Sequence, residues 1–260
     1  MGLCCSTRIK IFMKRFVFSG FAVFMLAAPV TGHCRDYQMN DSSPEASVRR
    51  DADTDKDAAQ KEYLIAMKYY YGRDVDRDYA EALKWLRLSA AKGNDAAEYA
   101  IGFMYQKGLG VPQDYAEAMK WYRLAAAKDN DNAQNQIGYL YHHGWGVETD
   151  YAEAMKWYRI SAAKGNFAAE DNIGVLYEHG QGVEQDYAEA MRWYRISAAK
   201  GNGEAELNIG NFYQHGLGVE LDLNKAVKWY RSAAAKGNEE AAQKLSAMKS
   251  GSVLPDVHHE

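Results

Sequence analysis

The sequence predicts an all-α fold, a solenoid of about five 36-residue helix-pair repeats closed by a C-terminal capping helix. Asp78, Asp114, Asp150, Asp186 and Asp222 form one column at a shift of 36 residues. Trp85, Trp121, Trp157, Trp193 and Trp229 form a second, and Arg87, Arg123, Arg159, Arg195 and Arg231 a third. No residue is inserted or lost between copies, and a fixed period of this size marks stacked supersecondary units. Alanine, tyrosine and tryptophan are plentiful while the 260 residues hold four prolines, which suits helices. Such an array has one continuous core made of neighbour contacts, so the length requires no division into globular domains.

The formal charge is −4. Residues 1–32 contribute four cations (Arg8, Lys10, Lys14, Arg15) and no anion, which leaves the remainder at −8. An acidic body repels phosphate backbones, so nucleic acid is not expected as a partner. The three cysteines, Cys4, Cys5 and Cys34, all precede the repeats, where neither a disulfide nor a cysteine metal site is therefore expected.

In chain order, residues 1–32 read as an export signal. Met13-Lys14-Arg15 is basic, Phe16 to Ala28 is an apolar run of 13 residues, and Val30-Thr31-Gly32 offers a cleavage site. That run is too short to span a bilayer comfortably. Two readings compete: Gly2 with Ser6 fits an acylation pattern flanked by Cys4 and Cys5, and Cys34 could mark lipoprotein cleavage, although His33 stands where a small residue is wanted. Export predicts a periplasmic or secreted protein whose only membrane contact is the signal, with Met13 an alternative start. Residues 33–58 are polar, lack apolar periodicity and are expected to form a flexible tether before the solenoid at 59–249. The tail at 250–260 is expected to be disordered.

One repeat, 131–166, shows the logic. Helix A is expected from about Asn132 to His143, with Ala133, Ile137, Leu140 and Tyr141 on one face. Gly144 ends it in the left-handed conformation. Asp150 is a natural N-cap for helix B, with Glu153 completing a capping box. Ala154, Trp157, Tyr158 and Ser161 supply the packing face, and the Trp column reads as core. Gly138, in mid-helix, costs about 1 kcal/mol in propensity and so implies a close packing contact. A sixth helix A follows, in which Ala241, Leu245 and Met248 continue the apolar columns while Gln243, Lys244 and Ser246 add polarity. That is an end cap. Three departures stand out: Ala66 replaces the helix-A glycine, Asp129 replaces the glycine after helix B and implies mild backbone strain, and Lys225 replaces the capping-box glutamate.

The columns A-x-x-x-I-G-x-x-Y-x-x-G-x-G-V and D-Y-x-E-A-x-x-W-Y-x-x-A-A-x-x-G resemble the Sel-1-like repeat, over about residues 59–249. The resemblance implies a right-handed α/α superhelix related to tetratricopeptide repeats, with helix A on the concave side and a usual role in protein binding. It also implies an alternative. One cysteine-rich secreted branch is associated with penicillin binding and weak β-lactamase activity, but this chain lacks the paired cysteines of that branch.

Chemistry candidates are repeat by-products. Ser89/Lys92, Ser161/Lys164 and Ser197/Lys200 spell the Ser-x-x-Lys of β-lactamases, yet Ala125 and Ala233 fill the serine column elsewhere, and the companion motifs are missing. His143, His179 and His215 share a column, but helices packed about 10 Å apart cannot bring two of them to one zinc with bonds near ~2 Å. No catalytic residue, metal or cofactor is expected. Partner binding is expected instead at helix-A columns that vary between units. These are Tyr99/Asn135/Asp171/Leu207, Phe103/Tyr139/Val175/Asn211 and Gln106/His142/Glu178/Gln214. Tyr99, Phe103, Tyr139, His142, Val175 and Asn211 are the candidates, joined by Trp145 in the loop, for binding a protein or an envelope component. Neutral surface drift is the competing explanation of that variation.

Overall fold

The computed structural model describes residues 44–249, so the export signal and the tail at 250–260 lie outside the described residues. Eleven helices and no strand occur among the described residues. The helix-A series is α1 (Pro44–Tyr71), α3 (Asp95–Lys107), α5 (Asp131–His143), α7 (Phe167–His179), α9 (Gly203–His215) and α11 (Glu239–Lys249). The helix-B series is α2 (Tyr79–Ala91), α4 (Tyr115–Ala127), α6 (Tyr151–Ala162), α8 (Tyr187–Ala199) and α10 (Leu223–Ala235). Each helix packs on its neighbours in the chain, the pattern of a repeat solenoid.

One expectation meets a different structure at the start. The stretch 33–58 was expected to be a tether, but α1 already begins at Pro44. Proline suits a first helical turn, and lengthening an existing helix avoids the cost of nucleation, so a polar stretch can be carried by the packed turns that follow it.

The local signals act as the sequence implies, with one exception. Helix A ends at Gly108, Gly144, Gly180 and Gly216, with φ of 67°, 68°, 65° and 67°. Asp150 accepts the Glu153 backbone N–H at 2.9 Å, and its counterparts do the same in every unit. The exception is the returning half of the capping box. The Asp150 amide donates to the Tyr141 carbonyl at 3.0 Å, a bond repeated in all five units, and so is not free for Glu153. The Glu153 carboxylate instead accepts from Lys156 Nζ at 2.7 Å and from the Trp157 indole N–H at 3.0 Å.

Packing puts tyrosine, not tryptophan, at the centre. Tyr122, Tyr158, Tyr194 and Tyr230 are fully buried, whereas the tryptophan beside each is half-buried at the rim of the core. The helix-A glycine follows from this. A Cβ on Gly102, Gly138, Gly174 or Gly210 would stand 2.4–2.7 Å from the ring of the tyrosine opposite. In the first unit Ala66 replaces the glycine and Leu86 the tyrosine, and both are fully buried. The larger side chain on one helix is matched by a smaller one on the other.

Polar columns tie the units together. Arg87, Arg123, Arg159 and Arg195 each donate from helix B to a tyrosine hydroxyl on the next helix A, at 3.0–3.1 Å. Within units, buried Glu98 and Glu206 pair with Lys128 and Lys236 at 2.6 and 2.7 Å, and Glu62 and Glu170 pair with Lys92 and Lys200. The third unit has Gln134 in that column. Its Lys164 turns to Asp129 at 2.6 Å, which has φ 68° where other units have glycine. The two departures compensate: the neutral amide leaves no buried charge, and the exposed aspartate takes the lysine. Both ends are polar. Lys61 and Lys68 stand, exposed, in columns that bury Ala97 and Met104 one unit later, while α11 seats Ala241, Leu245 and Met248 on the last cluster.

Candidate functional site

Two helix-A segments form an aromatic cleft at the N-terminal end of the array. Tyr63, Met67, Tyr70 and Tyr71 of α1 recur at helical spacing and share a face, as do Tyr99, Ala100 and Phe103 of α3. Together they line a cavity of about 270 Å³. Burial raises the Tyr63 and Tyr99 phenols above their ordinary range, so both are neutral hydrogen-bonding groups at physiological pH. Lys107 Nζ stands 5.8 Å over the Phe103 ring. Tyr99 and Phe103, expected from their columns, thus share one site. Tyr63, Met67, Tyr70 and Tyr71 were missed, because the atypical first unit was left out of the comparison. A shift of 36 places Tyr63 over Tyr99 and Met67 over Phe103, and that signal would have found them.

Tyr139 and Trp145 lie together in a second cluster. Their ring centroids are 5.4 Å apart, and His143 and Tyr115 complete the stack at 4.9 and 5.0 Å from Trp145. The other candidates have internal partners. His142 Nε2–H donates to Gln181 Oε1 at 2.9 Å, and its Nδ1 faces the Tyr158 hydroxyl at 3.4 Å. Desolvation first, and His143 second, lower its pKa, which keeps the ring neutral and Nδ1 an acceptor. Asn211 accepts from the Tyr230 hydroxyl at 2.8 Å, and Val175 packs against the core under α9.

The first variable column is a ladder between units. Asn172 Nδ2 donates to Asn135 at 3.0 Å, and one unit on Asn208 donates to Asp171 at 3.2 Å. Burial, with Glu204 and Glu178 adding to it, pushes the Asp171 carboxyl up to about 7 against the opposing Asn208 bond. Its folded value therefore exceeds its unfolded one. Between roughly pH 4 and 7 the folded state holds the extra proton, and stability falls as pH rises. Asp171→Asn copies the neighbouring Asn135 rung. It is expected to stabilise the protein by on the order of 2–4 kcal/mol above neutral pH, at about 1.4 kcal/mol per unit, with the gain fading below about pH 4. Urea unfolding across that range is the check, and a pH-independent effect would contradict the assignment.

The serines of the Ser-x-x-Lys triplets are structural bolts. Ser89, Ser161 and Ser197 are fully buried and donate to the carbonyls of Ala59, Asp131 and Phe167 at 2.6, 2.7 and 2.7 Å. Lys164 Nζ donates to Asp129, and the Ser161 hydroxyl donates to a backbone carbonyl, so neither group is engaged as the base and nucleophile that the motif would need.

The Sel1 repeat family matches residues 62–94, 95–130, 131–166, 168–202 and 203–238. No curated protein matches the sequence. Among solved structures, the chain is similar to a Sel1 repeat protein from Oxalobacter formigenes, at 35% identity over 80% of this chain and 81% of that one, with a TM-score of 0.69. It is also similar to a protective antigen of uropathogenic Escherichia coli strains displaying an SLR fold, at 36% identity and a TM-score of 0.64. That match covers 78% of this chain but only 43% of the antigen, so this chain spans less than half of that relative. An immunity protein from Pseudomonas aeruginosa shares the fold at 20% identity and a TM-score of 0.53, over 71% of this chain and 68% of that one. Five matched units spanning most of the described helices, in an array of paired helices, place this chain in the Sel1 repeat family.

Proposed function

We propose that the chain is an exported, non-catalytic scaffold that binds a protein or cell-envelope component along its helix-A side. The carrying observation is the aromatic cleft of Tyr63, Met67, Tyr70, Tyr71, Tyr99 and Phe103, an open site that gathers these side chains in one place. Large aromatic side chains with polar tips suit protein recognition, because they bring area and a hydrogen bond at low entropic cost. Burial of the three serines as donors to backbone carbonyls supports the non-catalytic reading over a penicillin-binding hydrolase. Export rests on the basic and apolar pattern of residues 13–32 alone. Among the described residues no helix is long and apolar enough to cross a membrane.

Affinity capture from an envelope fraction tests the site. A Tyr99→Ala/Phe103→Ala variant is expected to retain less than about a tenth of the captured partner, a loss of at least ~1.4 kcal/mol. Undiminished capture by that folded variant would move the site elsewhere. N-terminal sequencing tests export: the expected mature chain begins near His33, and an intact acylated Gly2 would refute it.

A further inference from the structure

We infer that the cleft between α1 and α3 binds a peptide segment in which a large apolar side chain lies beside an aspartate or glutamate, presented by an acidic partner protein. The inference rests on the scaffold reading and narrows it to one partner chemistry. Beside the aromatic cavity lies a second one of about 290 Å³, lined by Leu64, Met67, Lys68, Arg73 and Asp74, with Met67 common to both walls. Aromatic rings line most of the first, while the second adds three charged side chains to an apolar wall. Two of the large exposed hydrophobic residues, Leu64 and Tyr71, line these cavities.

The charges at the junction favour an anion. Lys68 sits in the column that buries Met104, Leu140, Leu176 and Phe212 in later units, so the array brings a cation to the edge of its own apolar face. Its pair with Asp74 is long, at 3.8 Å, and both side chains are exposed, which makes it a weak competitor for an incoming carboxylate. The Arg73 guanidinium stands 4.8 Å over the Tyr71 ring, and Lys107 lies over Phe103 on the other wall. Two cations, Lys68 and Arg73, and one carboxylate, Asp74, line the second cavity and leave it net positive, whereas Asp95 and Asp131 act on Tyr63 and Tyr99 of the aromatic one, so the second cavity is the end that attracts an anion. A hole of about 270 Å³ falls just below the ~300–1,000 Å³ typical of small-molecule sites and suits a single anchoring side chain. The rest of the chain is acidic, so an acidic partner is repelled elsewhere and admitted here. Specificity of this kind comes from repulsion as much as from attraction.

Random dodecamer peptides displayed on phage and selected on the full chain provide the test, followed by fluorescence anisotropy of the enriched synthetic peptides. The expected motif has Leu, Met, Phe or Trp within two residues of Asp or Glu. Tyr99→Ala is expected to weaken binding at least about tenfold, and so is the exposed pair Lys68→Glu/Arg73→Glu. The second variant removes no buried side chain, so its loss of binding cannot be assigned to misfolding, and its circular dichroism should match the parent. Enriched peptides without an acidic residue would overturn the inference, as would acidic peptides indifferent to Lys68→Glu/Arg73→Glu. Peptides that bind but are lost only on Tyr139→Ala/Trp145→Ala would overturn it too, while leaving the scaffold reading in place. No enrichment on any variant would count against both.

Discussion

Exchanging Gly146 for alanine is expected to lower the unfolding free energy by about 2–5 kcal/mol. Two costs add. Gly146 has φ +70°, a left-handed conformation that costs a residue with a Cβ about 1–2 kcal/mol. The new Cβ would also stand 2.7 Å from the Tyr115 carbonyl carbon and 2.8 Å from the Ala116 nitrogen, at the start of the preceding unit's helix B. Those atoms belong to a capped first turn and cannot rotate away, so the units must part, at about 1–3 kcal/mol. The chain contains its own control. Asp74 occupies this column in the first unit with φ 64°, where the described residues include no preceding helix B. Left-handed backbone alone therefore does not require glycine; the neighbour's backbone does. Gly201→Ala isolates the other cost, because φ is +94° but nothing lies within 4 Å of the added carbon, and about 1–2 kcal/mol is expected. Urea unfolding of both variants decides the matter, with hydrogen exchange expected to show the Gly146→Ala loss concentrated between α4 and α5. Equal costs at the two positions would refute the close-approach argument.

Much of this architecture is legible in the period alone, because a column identical in every unit must meet the same neighbour in every unit. Asp150 as a cap, Gly144 as a terminator, a packing reason for Gly138 and a polar last helix all follow from that rule. Other features escape it for physical reasons. Trp157 recurs in all five units and Tyr158 in four, so the period favours the tryptophan, and only their ~100° separation around the helix decides that the tyrosine points inward. Glu153 fits a capping box, but the loop closes the Asp150 amide onto Tyr141, which residue spacing does not reveal. Variation is also an ambiguous sign of freedom. Gln106, His142, Glu178 and Gln214 differ in charge and shape, yet all four face the hydroxyl of a buried tyrosine as acceptors. The array needs a lone pair there and accepts it from several side chains. Tyr99 and Phe103 vary for the other reason, since they face an open cleft.

Gly138→Ala and Tyr158→Leu are each expected to destabilise the chain, and together to cost less than their sum by about 1–3 kcal/mol. Alanine at 138 gains about 1 kcal/mol in helix propensity, which would stabilise an exposed helix. Here its Cβ would lie 2.7 Å from two ring carbons of Tyr158. The ring is fully buried, its hydroxyl faces His142, and it has nowhere to move, so overpacking of about 1–3 kcal/mol opposes the gain. Tyr158→Leu alone leaves an unfilled space against the glycine and is expected to cost about 2–4 kcal/mol. In the double variant the methyl of alanine enters the space vacated by the ring. The first unit already holds that arrangement, with Ala66 against Leu86 and both without solvent exposure. A double-mutant cycle by chemical unfolding measures the coupling. Strict additivity would mean that the glycine column and the tyrosine column are set independently, and the packing logic drawn from the first unit would not hold for the others.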